Sequence, residues 1–125
     1  MKTTITKEFK FHAAHKLGEE EIFGNCSRLH GHTYKLYVTV SSDKLRNGMI
    51  INFRDLKGIV EGTVLKDLDH YFLNEVEWMK AKYTTCEVLI REIWYRLEKE
   101  LEQYDVRLER LRLYETDSSY AEVER

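Results

Sequence analysis

His30-Gly31-His32-Thr33-Tyr34-Lys35-Leu36-Tyr37-Val38-Thr39-Val40-Ser41 alternates along its whole length. His32, Tyr34, Leu36, Val38 and Val40 fall on one side, and Thr33, Lys35, Tyr37, Thr39 and Ser41 on the other, the period-2 signature of a strand with one buried face. Upstream, residues 5–15 repeat the pattern, with Ile5, Phe9, Phe11, Ala13 and His15 on a largely apolar side. The earlier strand ends its apolar face on a histidine and the later one begins on one. Between them residues 16–29 lose the alternation and carry Gly18, Gly24 and Glu19-Glu20-Glu21, which reads as a surface loop of the length usually associated with function.

Working outward from this pair, Asn47-Gly48 is a tight-turn signal, and Met49-Ile50-Ile51 reads as a short strand returning beside its predecessor. Asn52 then precedes Phe53, Leu56, Ile59, Val60 and Val64 at helical spacing, which predicts a helix over 53–66 with Asn52 as its N-cap. Gly58 and Gly62 inside it each cost about 1 kcal/mol relative to alanine, so this reading asks for another backbone packed closely there. Thr84 with Glu87 makes a capping-box pattern, and Leu89, Ile90, Ile93, Trp94, Leu97 and Leu101 form an apolar stripe, which predicts a second helix over 85–103. Leu111, Leu113 and Glu115 share a strand face, and residues 118–124 make a last strand. The order ββααββ, with a short extra strand before the first helix, implies an α+β fold: a four-stranded antiparallel sheet with two helices on one face.

At 125 residues the chain has the size of one domain, read as residues 1–125 without linker or repeat. Its 20 Lys and Arg against 22 Asp and Glu leave a formal charge of −2, which lacks the cationic excess of a nucleic-acid or anionic-membrane binder. Hydrophobic residues at 42% and aromatics at 12% suffice for a packed core. No apolar run approaches the roughly 18 residues of a membrane span. Met1-Lys2-Thr3-Thr4-Ile5 leads straight into a charged alternating pattern, so a cytoplasmic protein is expected. In such a reducing compartment Cys26 and Cys86 are read as free thiols, either of them open to chemistry.

His15, His30 and His32 stand where the core-facing sides of the two strands run out. His30 and His32 project to the same side of one strand, and His15 joins them if the strands pair in antiparallel register. Three neutral imidazoles with an open fourth position suit a catalytic Zn2+. His12 falls on the opposite face and is read as an ordinary surface histidine. Cys26 lies just ahead of His30, and a nearby dication lowers a thiol pKa from about 8.5 toward neutrality. That makes Cys26 a thiolate base or nucleophile, with a fourth zinc ligand and an inert buried thiol as the competing readings. Asp69-His70 is an acid–imidazole pair in which the carboxylate can orient and polarise the ring as a proton carrier. On its own the dipeptide is more often a helix-end surface pair.

Phe11-His12-Ala13-Ala14-His15, Cys26 through His32, Ile50-Ile51-Asn52-Phe53 with Leu56-Lys57, Leu68-Asp69-His70, Thr85-Cys86-Glu87 and Glu115-Thr116 span nearly the whole chain. In that combination and order the chain resembles the 6-pyruvoyltetrahydropterin synthase superfamily, most closely its bacterial 6-carboxytetrahydropterin synthases of queuosine precursor biosynthesis. The resemblance implies a tunnelling-type fold, Zn2+ held by His15, His30 and His32, and a catalytic set of Cys26, Asp69 and His70. It also implies that Glu115 anchors the guanidine-like edge of a pterin through two parallel N–H bonds; a strand-end ion pair with a neighbouring arginine is the alternative. Thr85 and Glu87 match substrate-binding positions, although Glu87 also belongs to the capping box. The chain departs from the family where Asn52 stands in place of a common Asp and Thr84 in place of a common Pro. Asn can cap a helix and Thr can start one, so local backbone differences are expected there.

The substrate implied by the resemblance is 7,8-dihydroneopterin triphosphate, with zinc polarising its side chain, Cys26 removing a proton, and His70, oriented by Asp69, relaying protons. In the carboxy branch triphosphate and acetaldehyde leave, whereas the biopterin branch rearranges the side chain to a 6-pyruvoyl group. The short spacing between Cys26 and His30 resembles the carboxy branch. A zinc- or pterin-binding module without turnover would keep His15, His30, His32 and Glu115 but would not need Cys26, Asp69 and His70. The resemblance further implies a homohexamer of two trimeric β-barrel rings with active sites shared between subunits. Open edges on a small sheet supply an independent physical motive for such assembly.

Overall fold

The computed structural model describes all 125 residues. Strands β1 (Thr3–His15) and β2 (His30–Ser42) pair antiparallel over their full lengths, from Thr3 opposite Ser42 to His15 opposite His30. Their alternation produces the pairing, because it buries Phe9, Phe11 and Ala13 of β1 with Tyr34, Leu36, Val38 and Val40 of β2 on one face. The intervening residues are less irregular than expected. They wind into a short helix α1 (Glu20–Phe23) and a 3-10 turn (Gly24–Ser27), neither of which buries a residue.

Asn47-Gly48 forms the expected tight turn, with both residues at positive φ and paired backbone bonds between Arg46 and Met49. Met49–Ile51 does not go on to form a strand. Asn52 starts the next helix at once, its Oδ1 accepting from the Arg54 N–H at 2.8 Å, and Ile50 and Ile51 pack sideways onto the core. The predicted helix over 53–66 runs as α2 (Phe53–Val60), a π-helical stretch (Glu61–Leu65) and α3 (Lys66–Leu68). The wider π turn resets the phase of the stripe, so that Val64 and Leu68 stay buried on the side begun by Leu56 and Val60. Gly58 and Gly62 have open space where a side chain would be, so close backbone approach within this chain does not account for them.

A two-residue strand β3 (Tyr71–Phe72) then pairs parallel with the end of β1, Ala13 opposite Tyr71. Helix α4 (Cys86–Leu101) buries Leu89, Ile90, Ile93, Trp94, Leu97 and Leu101, and β4 (Arg107–Thr116) and β5 (Ser119–Glu124) complete the sheet. The sheet therefore has five strands in the order β3-β1-β2-β4-β5. The expected four-stranded antiparallel sheet is present, and β3 adds one parallel edge pair that was not expected. Buried side chains of the sheet and of α2 to α4 merge into one cluster of 27 residues. The capping box is corrected by one position: Thr85, not Thr84, is the N-cap of α4, its Oγ1 accepting from the Val88 N–H at 3.2 Å. Thr84 is instead fully buried. We expect Thr85→Ala to lower the stability to urea unfolding by about 1 kcal/mol, and Thr85→Asp, which restores a capping oxygen, to recover most of the loss.

Candidate active site

The β1–β2 register sets His15 opposite His30 and Ala13 opposite His32, so the three imidazoles emerge on the core side of the sheet at its end. Ring centroids lie 4.5 Å apart for His15 and His30, 5.2 Å for His15 and His32, and 5.0 Å for His30 and His32. One nitrogen from each ring falls within 4.8 Å of the others. His15 Nδ1 bonds the Thr84 carbonyl at 2.7 Å, and His30 Nδ1 bonds the Arg28 carbonyl at 2.7 Å. A carbonyl only accepts, so in both rings Nδ1 carries a proton, and the neutral form of each ring presents its lone pair at Nε2. Nε2 of His15 and Nε2 of His32 are buried with no hydrogen-bond partner, which is costly unless another group takes them up. Burial also holds both imidazoles below their ordinary pKa, favouring the neutral form that a metal ligand must have. Three such nitrogens fit Zn2+ with one position left open.

Glu115, at the end of β4, brings Oε1 to 3.3 Å from His32 Nε2 without the alignment of a hydrogen bond. No arginine reaches Glu115, so the strand-end ion pair is not what holds it. Thr85 is occupied as the cap of α4, and Glu87 lies exposed in the first turn of that helix. Cys26 is exposed on the 3-10 turn and is not gathered with the imidazoles, whereas Cys86 is buried. The Cys86 thiol donates to the Leu113 carbonyl at 3.2 Å, and burial pushes its pKa up to about 12. Cys86 is therefore a packed, unreactive thiol.

Asp69 and His70 do touch, Oδ1 to Nδ1 at 3.1 Å. The Asp69 carboxylate also accepts the backbone N–H of His12 at 2.9 Å, and this bond, with His70 beside it, holds Asp69 below the usual carboxylate range. His70 adopts φ +66° and donates its backbone N–H to the His12 carbonyl at 2.6 Å. Its ring lies 5.6 Å from that of His12, and His12 Nδ1 is 3.0 Å from Thr33 Oγ1. His12 and Thr33 occupy the sheet face opposite the imidazole trio, because successive side chains alternate. The pair is thus packed against the outer face. The reading of His12 as an ordinary surface histidine misses this contact, for which no sequence signal existed: it arises only when β3 docks beside β1.

A family model described as 6-pyruvoyl tetrahydropterin synthase matches residues 4–125. The chain belongs to that family. The 6-carboxy-5,6,7,8-tetrahydropterin synthase of Haemophilus influenzae is 37% identical to it, over 96% of this chain and 97% of that protein. The dihydroneopterin monophosphate aldolase of Pyrococcus furiosus is 36% identical over 99% of each chain. The solved structure of Caenorhabditis elegans 6-pyruvoyl tetrahydropterin synthase superposes with a TM-score of 0.89 at 24% identity, covering 100% of this chain and 96% of that one. The family's α+β fold is therefore the fold of this chain.

After zinc loading and dialysis, His15→Ala and His30→Ala should each lose the bound metal measured by elemental analysis, whereas Cys26→Ala should retain it. Loss of metal from Cys26→Ala would make that thiol a ligand.

Proposed function

We propose that residues 1–125 form one pterin synthase domain, a zinc-dependent lyase that converts 7,8-dihydroneopterin triphosphate and one water to 6-carboxy-5,6,7,8-tetrahydropterin with loss of acetaldehyde and triphosphate, in queuosine precursor biosynthesis. The observation that carries this reading is the cluster of three imidazoles, two of whose Nε2 atoms are buried without partners, with the Glu115 carboxylate beside it. The Haemophilus influenzae relative, matched over nearly the full length of both chains, supports the carboxy product, as does the short spacing between Cys26 and His30.

Zinc held by His15, His30 and His32 would supply Lewis-acid polarisation of the substrate's side-chain oxygens. Glu115 accepts two parallel N–H bonds from the pterin edge, which sets the side chain toward the imidazole trio. Thr85 and Glu87, at the start of α4, border the bound pterin. Cys26, exposed on its turn, takes a proton from the side chain as thiolate. His70, held by Asp69, moves protons on and off the reacting atoms. Within one chain Asp69 and His70 pack on the opposite sheet face from the trio, so a neighbouring subunit supplies them in a homohexamer of two trimeric rings. The unpaired outer edge of β5 provides a surface for that assembly. The proposed partner is this small-molecule substrate and the proposed location is the cytoplasm; no helix is long and apolar enough to cross a membrane.

Incubating the zinc-loaded protein with 7,8-dihydroneopterin triphosphate should give a 6-carboxy pterin by mass spectrometry together with acetaldehyde. Cys26→Ala and His70→Ala should each reduce turnover by about a hundredfold or more while retaining zinc. A 6-pyruvoyl product without acetaldehyde would move the chain to the biopterin branch. Cleavage of dihydroneopterin monophosphate instead would align it with the Pyrococcus furiosus relative, and substrate bound but returned unchanged would leave a zinc- and pterin-binding module without turnover.

A further inference from the structure

Tyr34 is fully buried, and its hydroxyl has no hydrogen-bond partner. The ring stacks on Phe11 at 4.8 Å and stands edge-on to His15 at 6.3 Å and to His32 at 5.6 Å. Phenylalanine would fill the same space without stranding a polar atom, so packing accounts for the ring but not for the hydroxyl.

Across the sheet, Leu36 lies opposite Leu113 and Lys35 opposite Tyr114. The pairing of β2 with β4 ends there, and Glu115 is the next residue of β4, at the irregular step of its pairing with β5. Glu115 in turn approaches His32 Nε2 at 3.3 Å, the ring next to that of Tyr34. Cys86, at the start of α4, closes the same corner, but its S–H is already committed to the Leu113 carbonyl. Tyr34 is thus the uncommitted donor beside a carboxylate whose present neighbour, His32 Nε2, is a proposed metal ligand. Burial, with Glu115 and Cys86 nearby, holds the phenol far above its ordinary pKa, so it keeps its proton at any working pH.

We propose that Tyr34 is a positioning residue for Glu115: when a metal takes His32 Nε2, the Tyr34 O–H donates to the Glu115 carboxylate and fixes its direction toward the pterin edge. This rests on the reading of Glu115 as the pterin anchor given above. The loaded site would then contain no stranded hydroxyl, and the carboxylate would meet its ligand already oriented.

The test is calorimetric titration of the zinc-loaded protein with neopterin, a pterin without phosphate, alongside zinc content and thermal melting. Tyr34→Phe should weaken neopterin binding by about tenfold, the scale of a lost hydrogen bond to a charged group, and raise KM with little change in kcat. Its zinc content should equal that of the wild type and its melting temperature should be no lower. In a Glu115→Ala background the further change Tyr34→Phe should alter binding by less than about twofold, because the group it orients is gone. Wild-type affinity in Tyr34→Phe overturns the proposal, as does an equal loss in the Glu115→Ala background. Loss of zinc from Tyr34→Phe also overturns it, since the tyrosine would then support the imidazole trio instead. A wild-type protein that binds no neopterin at all overturns the pterin reading of the site itself, a result distinct from all of these.

Discussion

The register of β1 against β2 is the constraint on which the rest of this structure depends. Thirteen residues of each strand are paired without interruption, and the buried side chains on the shared face fix which side of each strand faces the core. A slip by one residue would turn that whole face outward and carry His15 to the far side of the sheet. In the observed alignment Ala13, small and buried, faces His32, while His15 faces His30. The imidazoles converge because this register places His15, His30 and His32 on the buried face at one end of the strand pair.

The junction before α4 couples the same site to the helix layer. Thr85 caps the helix with its side chain, while the carbonyl of its neighbour Thr84 accepts from His15 Nδ1. One short segment therefore starts the helix and sets the tautomer and ring direction of a candidate metal ligand. The π turn in the preceding helix has a comparable structural role. By adding a residue to one turn it keeps Val64 and Leu68 buried beside Leu56 and Val60, so one buried stripe runs the length of the segment.

The two faces of the sheet carry different chemistry. On the core side are three imidazoles, a carboxylate and a stranded phenol, and burial there lowers the pKa of His15 and His32. On the outer side Asp69, His70 and His12 are open to solvent, tied together through the His12 backbone. A single chain thus holds both halves of the proposed machinery but keeps them on opposite faces. Subunits that share sites would reunite them, and the short parallel contact of β3 with β1 is what aims the Asp69–His70 pair outward.

Much of this was legible in the sequence, because period-2 alternation and a helical stripe are direct consequences of burying one face. The strands, the two helical regions and the convergence of His15, His30 and His32 follow from Phe9, Phe11, Leu36, Val38 and their neighbours alone. Cap identity did not follow, since Thr84 and Thr85 have the same chemistry and only the demand of His15 for a carbonyl separates them. The strand expected at Met49–Ile51 failed because a helix cap at the very next residue, Asn52, left no length for pairing, and β3 went unseen because two residues have no period. The sequence determined which side chains must be buried and therefore which histidines meet. Tertiary structure decided what each polar group found as a partner, because hydrogen bonds to Thr84, His12 and Leu113 join residues far apart along the chain, and no local pattern records such distances.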